Sequence, residues 1–295
     1  MIPLLITMDL EIAYDHDITE QKMILNKLCK DLDMLGISMT VFATSESADI
    51  FPEQIKMIHN SNHEIGCHGL NHFREENYKK ISEEKIIENI ILSSNNIEDK
   101  IQIAPVCFRG PGMTTSLTTQ KVLMKNGYIA DFSVCSQRID IFNSIGCDIG
   151  WLFAPRLPYK SSDKSPYKKG NAPIWNIPLS CIGIPFISGI LYLFGLSFMK
   201  FFFRLLLNES LKTKKPIVYI FHSYEFTNYI FSTEINRKLE HPERNKQPLI
   251  HKLYLKDPVK RYNINLDLLK YMLSFDSIIP VTGKDYCKYL DNKVE

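Results

Sequence analysis

The sequence alternates short apolar runs, typical of β-strands, with longer amphipathic runs, typical of α-helices. The strand-like runs read PLLITMDL, ISMTVFAT, EIGCHG, VCFRGPG and YIADFSV. The helix-like runs among them cover residues 20–35, 52–60, 82–100 and 117–126. This alternation predicts an α/β fold in which βα units surround a parallel sheet or barrel. In such folds the functional residues lie at the carboxyl ends of the strands, where the loops converge.

Composition narrows the class of protein. With 295 residues, of which 45% are hydrophobic, the chain can bury a large core. A formal net charge of +2 does not indicate a nucleic-acid-binding surface. The seven cysteines include no CxxC pair, which is typical of reduced thiols, and the first residues lack the pattern of a signal peptide. We therefore expect a cytoplasmic protein without a nucleic-acid partner.

Two carboxylates end the first strand-like run. Asp9 and Glu11 follow the apolar residues of MIPLLITMDLE, two positions apart. Side chains at positions i and i+2 of an extended segment point to the same side. We therefore expect both carboxylates to face one site. A helix-capping Asp beside a solvated Glu is the structural alternative for this run taken alone.

Three histidines accompany the third strand-like run in HEIGCHGLNH: His63, His68 and His72. The i, i+4 spacing of His68 and His72 predicts two imidazoles on one helical face. Gly69 follows His68, so the zincin motif, which needs a Glu at that position, is absent. Together with a carboxylate from the first strand, the pair supplies the donors of a catalytic divalent-metal site. A solvated helix face is the alternative for the histidine pair alone.

Two further strand ends carry residues suited to catalysis. Arg109 precedes the Gly-Pro-Gly turn of VCFRGPG, where a guanidinium can keep a neighbouring carboxylate ionised and oriented. The apolar run KKPIVYIFHSYEF predicts a buried strand that ends at His222, with Glu225 close behind. At a strand end His222 is a candidate general acid. A surface arginine and a buried core histidine are the structural alternatives.

The segments TMDLE, HGLNH, FRGPG and IFHSYE resemble, in order and spacing, the motifs of the polysaccharide deacetylases, a carbohydrate-esterase superfamily. The resemblance extends over most of the chain. It implies a distorted (β/α)7-type barrel with parallel strands that carry the motifs at their ends. It also implies a single catalytic domain over residues 1–295, with insertions at about 136–175 and 227–261.

The resemblance also implies roles for the first two motifs. The family's usual first motif has adjacent aspartates, a base followed by a metal ligand, and here Leu10 fills the second place. An acid-x-acid variant of the motif makes Asp9 the base and Glu11 a metal ligand. His68 and His72 are then the other two ligands of a divalent ion, with Zn expected first and Ni, Co or Mn as alternatives.

The remaining roles follow from the later motifs of the family. Arg109 orients the base Asp9, and His222 protonates the leaving amine. The acid that tunes the catalytic histidine in the family has no clear match in this sequence. Asp131 and Glu225 are both candidates for it.

The resemblance implies hydrolysis of an N-acetyl group, or an N-formyl group, from a sugar in a polysaccharide or a lipid-linked glycan. Two alternatives stay open: a metal-independent amidohydrolase of small cyclic amides, similar to allantoinase, and a carbohydrate-binding relative that has lost catalysis. Three aromatic residues in the first insertion, Tyr159, Tyr167 and Trp175, are candidates to stack on a sugar ring.

One segment is unusually apolar. Residues 181–199 contain no charge over a length that meets the usual criterion for a membrane span. A single span would separate His222 from Asp9 by a membrane, so we do not expect one. Two interpretations stay open. Either the segment is a strand and a buried helix of the barrel, or residues 181–207 contact the inner face of the membrane with Lys200 and Arg204 near the headgroups.

Overall fold

The computed structural model describes residues 1–14, 16–138, 149–228 and 257–294. The strands are β1 Ile2–Leu10, β2 Thr40–Ala43, β3 Glu64–Cys67, β4 Cys107–Phe108, β5 Ala130–Asp131, β6 Tyr159–Lys160, β7 Trp175–Asn176, β8 Cys181–Ile182, β9 Ile184–Pro185, β10 Ile217–His222 and β11 Ile278–Pro280. The helices are α1 Ile18–Met34, α2 Ser45–Ile50, α3 Pro52–Asn60, α4 Glu83–Ile101, α5 Leu117–Lys125, α6 Ile149–Phe153, α7 Ser188–Thr213, α8 Pro258–Leu273 and α9 Gly283–Val294.

The main sheet confirms the predicted distorted (β/α) barrel. Its strands lie in the order β10-β1-β2-β3-β4-β5-β7-β6, and β11 also pairs with β1. All pairings are parallel except that of β6 with β7. The sheet curls into a half-barrel, so the carboxyl ends of its central strands meet at one edge.

The two faces of the sheet carry separate hydrophobic clusters. Along β1, the side chains of Leu4, Ile6 and Met8 pack with residues of α1, α3 and α4. Leu5 points the other way and packs with Phe42 on the inner face. Because side chains alternate along a strand, Asp9 lies on this inner face as well.

Local signals explain most of the helix bounds. The Asp17 side chain caps α1 by accepting from two backbone N–H groups, and the Ser82 hydroxyl caps α4. Pro52 occupies the first turn of α3, which the sequence predicted correctly. Helix α8 begins at Pro258, where the Asp257 carboxylate accepts from the N–H groups of Val259 and Lys260.

The apolar segment, residues 181–199, forms strands β8 and β9 and nearly the first half of helix α7. This helix packs against β1, β10 and α8, and Gly195, at a φ of 82°, interrupts it. Within the described ranges, α7 alone meets the length and hydropathy criterion for a membrane-crossing helix. One side of α7 is buried, as the first interpretation expected, and the other side exposes Phe194 and Phe201.

Two of the three aromatic residues of the first insertion are buried, and the third is partly buried. Tyr159 and Trp175 are both buried, and Trp175 belongs to the cluster on the inner face of the sheet. The hydroxyl of Tyr159 donates to a backbone carbonyl, and the indole N–H of Trp175 donates to Asp291. Tyr167 packs against the same cluster and bonds to the Thr115 carbonyl. The prediction that these residues stack on a sugar is therefore wrong for Tyr159 and Trp175, and for Tyr167 it stays a prediction.

The predicted single domain with two insertions stays a prediction. Residues 139–148 of the first insertion and 229–256 of the second lie outside the described residues. The described part of the first insertion contains α6, β6 and the start of β7.

Candidate active site

The carboxyl ends of four parallel strands converge on one site. β1 and β10 pair in a register that sets Asp9 opposite His222. His68 and Arg109 directly follow β3 and β4, and their backbone N–H groups bond to carbonyls of the neighbouring strands at 2.8 and 3.0 Å. The side chains that the sequence predicted at these ends are therefore neighbours in space.

Asp9 offers its two carboxylate oxygens to different partners. Oδ1 accepts a bond of 2.5 Å from Arg109, which also donates to the Thr7 hydroxyl at 3.0 Å. Oδ2 lies 3.8 Å from Nε2 of His68 and 4.0 Å from Nε2 of His222. A cation therefore holds one oxygen of Asp9, while the other faces the histidines.

The environment keeps both carboxylates ionised. Burial opposes the charge of Asp9, but Arg109 and two histidines of the site outweigh burial, so the pKa of Asp9 lies below its ordinary value. Burial also opposes the charge of Glu11. The attraction of the site's three histidines, of which His72 contributes most, outweighs the effect of burial and lowers the pKa of Glu11.

Glu11, His68 and His72 form a group that can hold a metal ion. One donor atom from each lies within 4.8 Å of the others. Nδ1 of His68 bonds to the Arg109 carbonyl at 2.6 Å, and because a carbonyl only accepts, Nδ1 carries the proton. Nε2 of His68 is buried, has no hydrogen-bond partner among the described residues, and therefore presents a lone pair. This is how proteins prepare a histidine as a metal ligand.

His72 is arranged differently from His68. Its Nε2 accepts the Gly112 N–H at 3.1 Å, so the neutral ring carries its proton on Nδ1, which lies 3.1 Å from Glu11. For Nδ1 to serve as a metal ligand, the neutral ring would have to carry its proton on Nε2 instead. The donor set fits a divalent ion, and its affinity should then depend on pH.

The prediction that His68 and His72 lie on one face of a helix is wrong. His68 and His72 lie in a loop that follows β3, and His72 adopts a left-handed backbone with a φ of 62°. The loop nevertheless brings the two rings to a centroid distance of 5.1 Å. His63 is not part of the site, because it precedes β3 and its Nδ1 accepts the Met39 N–H at the other end of the strand.

Glu225 is the acid that bonds to the candidate catalytic histidine. Its Oε1 lies 2.9 Å from Nδ1 of His222. Oε1 also accepts the Ser188 hydroxyl at 2.7 Å, and Oε2 accepts the Tyr192 hydroxyl at 3.0 Å. Burial disfavours the imidazolium, but Glu225, with smaller contributions from other carboxylates, raises the pKa of His222 to about 9.

Asp131, the other candidate, serves a different network. Its carboxylate accepts bonds from the Thr115 hydroxyl, the Gln120 amide and the Ser133 N–H at 2.7, 3.0 and 2.9 Å. No described hydrogen bond links Asp131 to His222. Of the two acids that the sequence left open, the structure therefore pairs Glu225 with the histidine.

Sequence reasoning missed four residues that shape the site: Gly112, Glu76, Ser188 and Tyr192. Ser188 and Tyr192 are spaced i, i+4 at the start of α7, where hydroxyl groups interrupt a run of apolar residues. That interruption was a usable signal. Glu76 lies in a polar loop, and its sequence context carries no comparable signal.

A family model described as polysaccharide deacetylase matches residues 11–130. A curated peptidoglycan deacetylase from Helicobacter pylori is 30% identical over 108 residues, which are 37% of this chain and 36% of that protein. This chain thus spans about a third of the length of the curated relative.

Two crystal structures share the fold. One is a Mycobacterium smegmatis protein assigned as a polysaccharide deacetylase, with 14% identity and a TM-score of 0.63 over 99% of this chain and 90% of that chain. The other is an allantoinase, with 14% identity and a TM-score of 0.56 over 97% of this chain and 89% of that chain. At these identities the likeness establishes the fold alone.

The bond between Glu225 and His222 makes a testable prediction. In the metal-free protein we expect His222 to titrate near pH 9 and to do so at lower pH in Glu225→Gln, because the amide no longer stabilises the imidazolium with a charge. NMR titration of the histidine rings measures this, with His222→Gln to assign the signal and the exposed Glu98→Gln as the matched control. An unchanged pKa of His222 in Glu225→Gln would rule out the pairing.

Proposed function

We propose that this chain, which belongs to the polysaccharide deacetylase superfamily, hydrolyses an N-acyl group, with N-acetyl expected first, from a sugar in a polysaccharide or a lipid-linked glycan. The observation that carries the proposal is the arrangement around Asp9. One of its oxygens is held by Arg109, and the other is open towards the candidate metal ligands.

The candidate ligands of a divalent ion, Zn in the first place with Ni, Co or Mn as alternatives, are Glu11, His68 and His72. Two imidazoles and one carboxylate are one of the ligand sets that proteins use for catalytic zinc. When bound, such an ion lowers the pKa of a water ligand and polarises the substrate carbonyl.

Asp9 is the proposed general base. Its Oδ2 points to the same space as Nε2 of His68, so it can take a proton from a water held at the ligands. Oδ1 cannot share this task because Arg109 occupies it at 2.5 Å. The guanidinium also lowers the pKa of Asp9, so the base is ionised at neutral pH.

His222 is the proposed general acid. Its Nε2 lies 4.0 Å from Oδ2 of Asp9, on the other side of the same space, and its raised pKa keeps the ring protonated at neutral pH. The imidazolium can therefore give a proton to the leaving amine. If Nε2 of His72 carried the ring proton, the Gly112 N–H would lose this acceptor and could donate to the developing oxyanion instead.

We further propose that the protein works at the cytoplasmic face of a membrane. The exposed stripe of α7 carries Leu193, Phe194, Phe201 and Leu205, and it begins near the hydroxyl group of Tyr192 that bonds to Glu225. Apolar surface beside the catalytic histidine suits a saccharide on a lipid carrier.

The charges of α7 fit an anionic lipid surface. The helix carries Lys200, Arg204 and Lys212, whereas Glu209, the acidic residue of this helix, is bonded to Arg156 and Lys215. Lysine and arginine beside exposed aromatic side chains are typical of helices that lie on a bilayer.

Mutation can distinguish the role of the proposed base, Asp9, from the role of the candidate metal ligands. In Asp9→Asn the amide oxygen still accepts from Arg109, so we expect metal affinity to stay within a few-fold while acetate release falls by about 10²–10⁴-fold. His72→Ala should lose both metal and turnover. His59→Ala, a histidine at the end of α3, is the control.

Metal analysis and acetate release from N-acetylated glycan fragments measure these effects, with allantoin as a second substrate. Full activity of Asp9→Asn would refute the proposed base. Hydrolysis of allantoin by the metal-free protein would favour the cyclic-amide alternative. A protein that binds the glycans without releasing acetate would favour the non-catalytic alternative.

The proposed membrane surface is testable with vesicles. We expect flotation with vesicles of phosphatidylcholine and 30% phosphatidylglycerol, and a loss of about 10-fold or more in partitioning for Phe194→Ser/Phe201→Ser. Met23→Ser/Met34→Ser, which removes two exposed apolar side chains of α1, is the matched control. Equal partitioning of the two double variants would contradict docking through α7.

A further inference from the structure

The loop of residues 68–76 holds His72 without the support of a helix or strand, and one buried carboxylate organises it. Oε1 of Glu76 accepts the Leu70 N–H at 2.6 Å and the Tyr78 hydroxyl at 2.9 Å. Oε2 accepts the N–H groups of Asn71 and His72 at 2.9 and 3.0 Å. Three consecutive backbone N–H groups therefore point at one side chain that is 6% exposed.

Gly69 makes this close approach possible. A Cβ atom at Gly69 would lie 2.3 Å from Oε1 of Glu76, and the residue has a φ of +75°. His72 also has a positive φ, which residues other than glycine rarely adopt. The bond from its N–H to Glu76 is the contact that holds His72 in this conformation.

We propose that Glu76 is a positioning residue for the metal site. By fixing the backbone of residues 70–72, it sets the His72 ring where Nδ1 lies 3.1 Å from Glu11. This inference rests on the proposed metal site of Glu11, His68 and His72. Glu76 acts through the backbone, since its carboxylate bonds to the N–H of His72 and to no ring atom of it.

Two substitutions of Glu76 distinguish the effect of its hydrogen bonds from the effect of its charge. A glutamine can turn its carbonyl oxygen towards the N–H groups of Asn71 and His72. Its amide then faces the Tyr78 hydroxyl, which can rotate to accept, and the Leu70 N–H, whose bond is lost. It therefore keeps the bonds that hold His72 while it loses the charge. A leucine of similar size keeps neither.

Zinc titration calorimetry of the metal-free proteins tests the proposal. Loss of residues that orient metal ligands typically weakens metal affinity by about 10–100-fold. We expect a loss of this size for Glu76→Leu, a loss of only a few-fold for Glu76→Gln, and none for Glu75→Leu, which changes the exposed neighbour. If Glu76→Leu binds zinc as the wild type does, or if Glu76→Gln loses as much as Glu76→Leu, the proposal is overturned.

A second pair of variants tests the contact between Gly69 and the Glu76 carboxylate. Gly69→Ala drives a methyl group against Glu76, whereas Gly127→Ala meets nothing within 4 Å at a similar φ of +79°. Both variants introduce a similar backbone strain, but Gly69→Ala alone places a methyl group against Glu76. We expect zinc affinity to fall in Gly69→Ala alone. Equal affinities in the two would also overturn the proposal.

Hydrogen exchange of the metal-free protein separates this inference from the proposed function. We expect the amides of residues 70–72 to exchange about 10-fold faster or more in Glu76→Leu, because they lose their acceptor. Unchanged exchange would overturn the positioning role, whatever the wild type does with zinc. A wild type that binds no zinc, with exchange changed as expected, would overturn the metal site and leave Glu76 an organiser of the loop.

Discussion

The buried ion pair between Arg109 and Asp9 is the interaction on which the site depends. Arg109 is completely buried, packs over the ring of Phe42 at 4.2 Å and joins the ends of two strands that are not neighbours, β4 and β1. Removing one partner of a buried pair leaves an uncompensated charge, at a cost of about 3–5 kcal/mol. The pair therefore binds the sheet together and at the same time leaves a single oxygen of Asp9 for chemistry.

Paired strands and side-chain hydrogen bonds together hold the proposed catalytic groups. Asp9 and His222 lie opposite each other on paired strands, so the sheet fixes their separation. The imidazole of His222 is oriented through Glu225, and Glu225 in turn is held by two hydroxyl groups of α7. This connection places a helix with exposed apolar side chains next to the proposed general acid, so the proposed membrane surface and the proposed chemistry would share one edge of the barrel.

The strand ends could be predicted from sequence because each follows an apolar run of strand length, and Asp9, Arg109 and His222 lie where those runs stop. The i, i+4 spacing of His68 and His72 gave a wrong prediction of a helix. The chain forms a loop there, because Gly69 has a positive φ and Glu76 accepts the backbone N–H groups that follow. The partner acid of His222 could not be chosen either. That choice depends on hydroxyl groups of a helix that lies more than thirty residues earlier in the chain. The two faces of α7 have nearly the same apolar composition, so burial on one side was not visible in the sequence.

Anomalous diffraction at the zinc absorption edge, from crystals equilibrated with zinc, would locate the ion. We expect one strong peak within about 2.0–2.2 Å of a carboxylate oxygen of Glu11 and of one ring nitrogen each of His68 and His72. Oδ2 of Asp9 should face that peak without ligating it. A peak at other residues, or none beside these three under saturating zinc, would contradict the metal-dependent amide hydrolysis proposed for this protein.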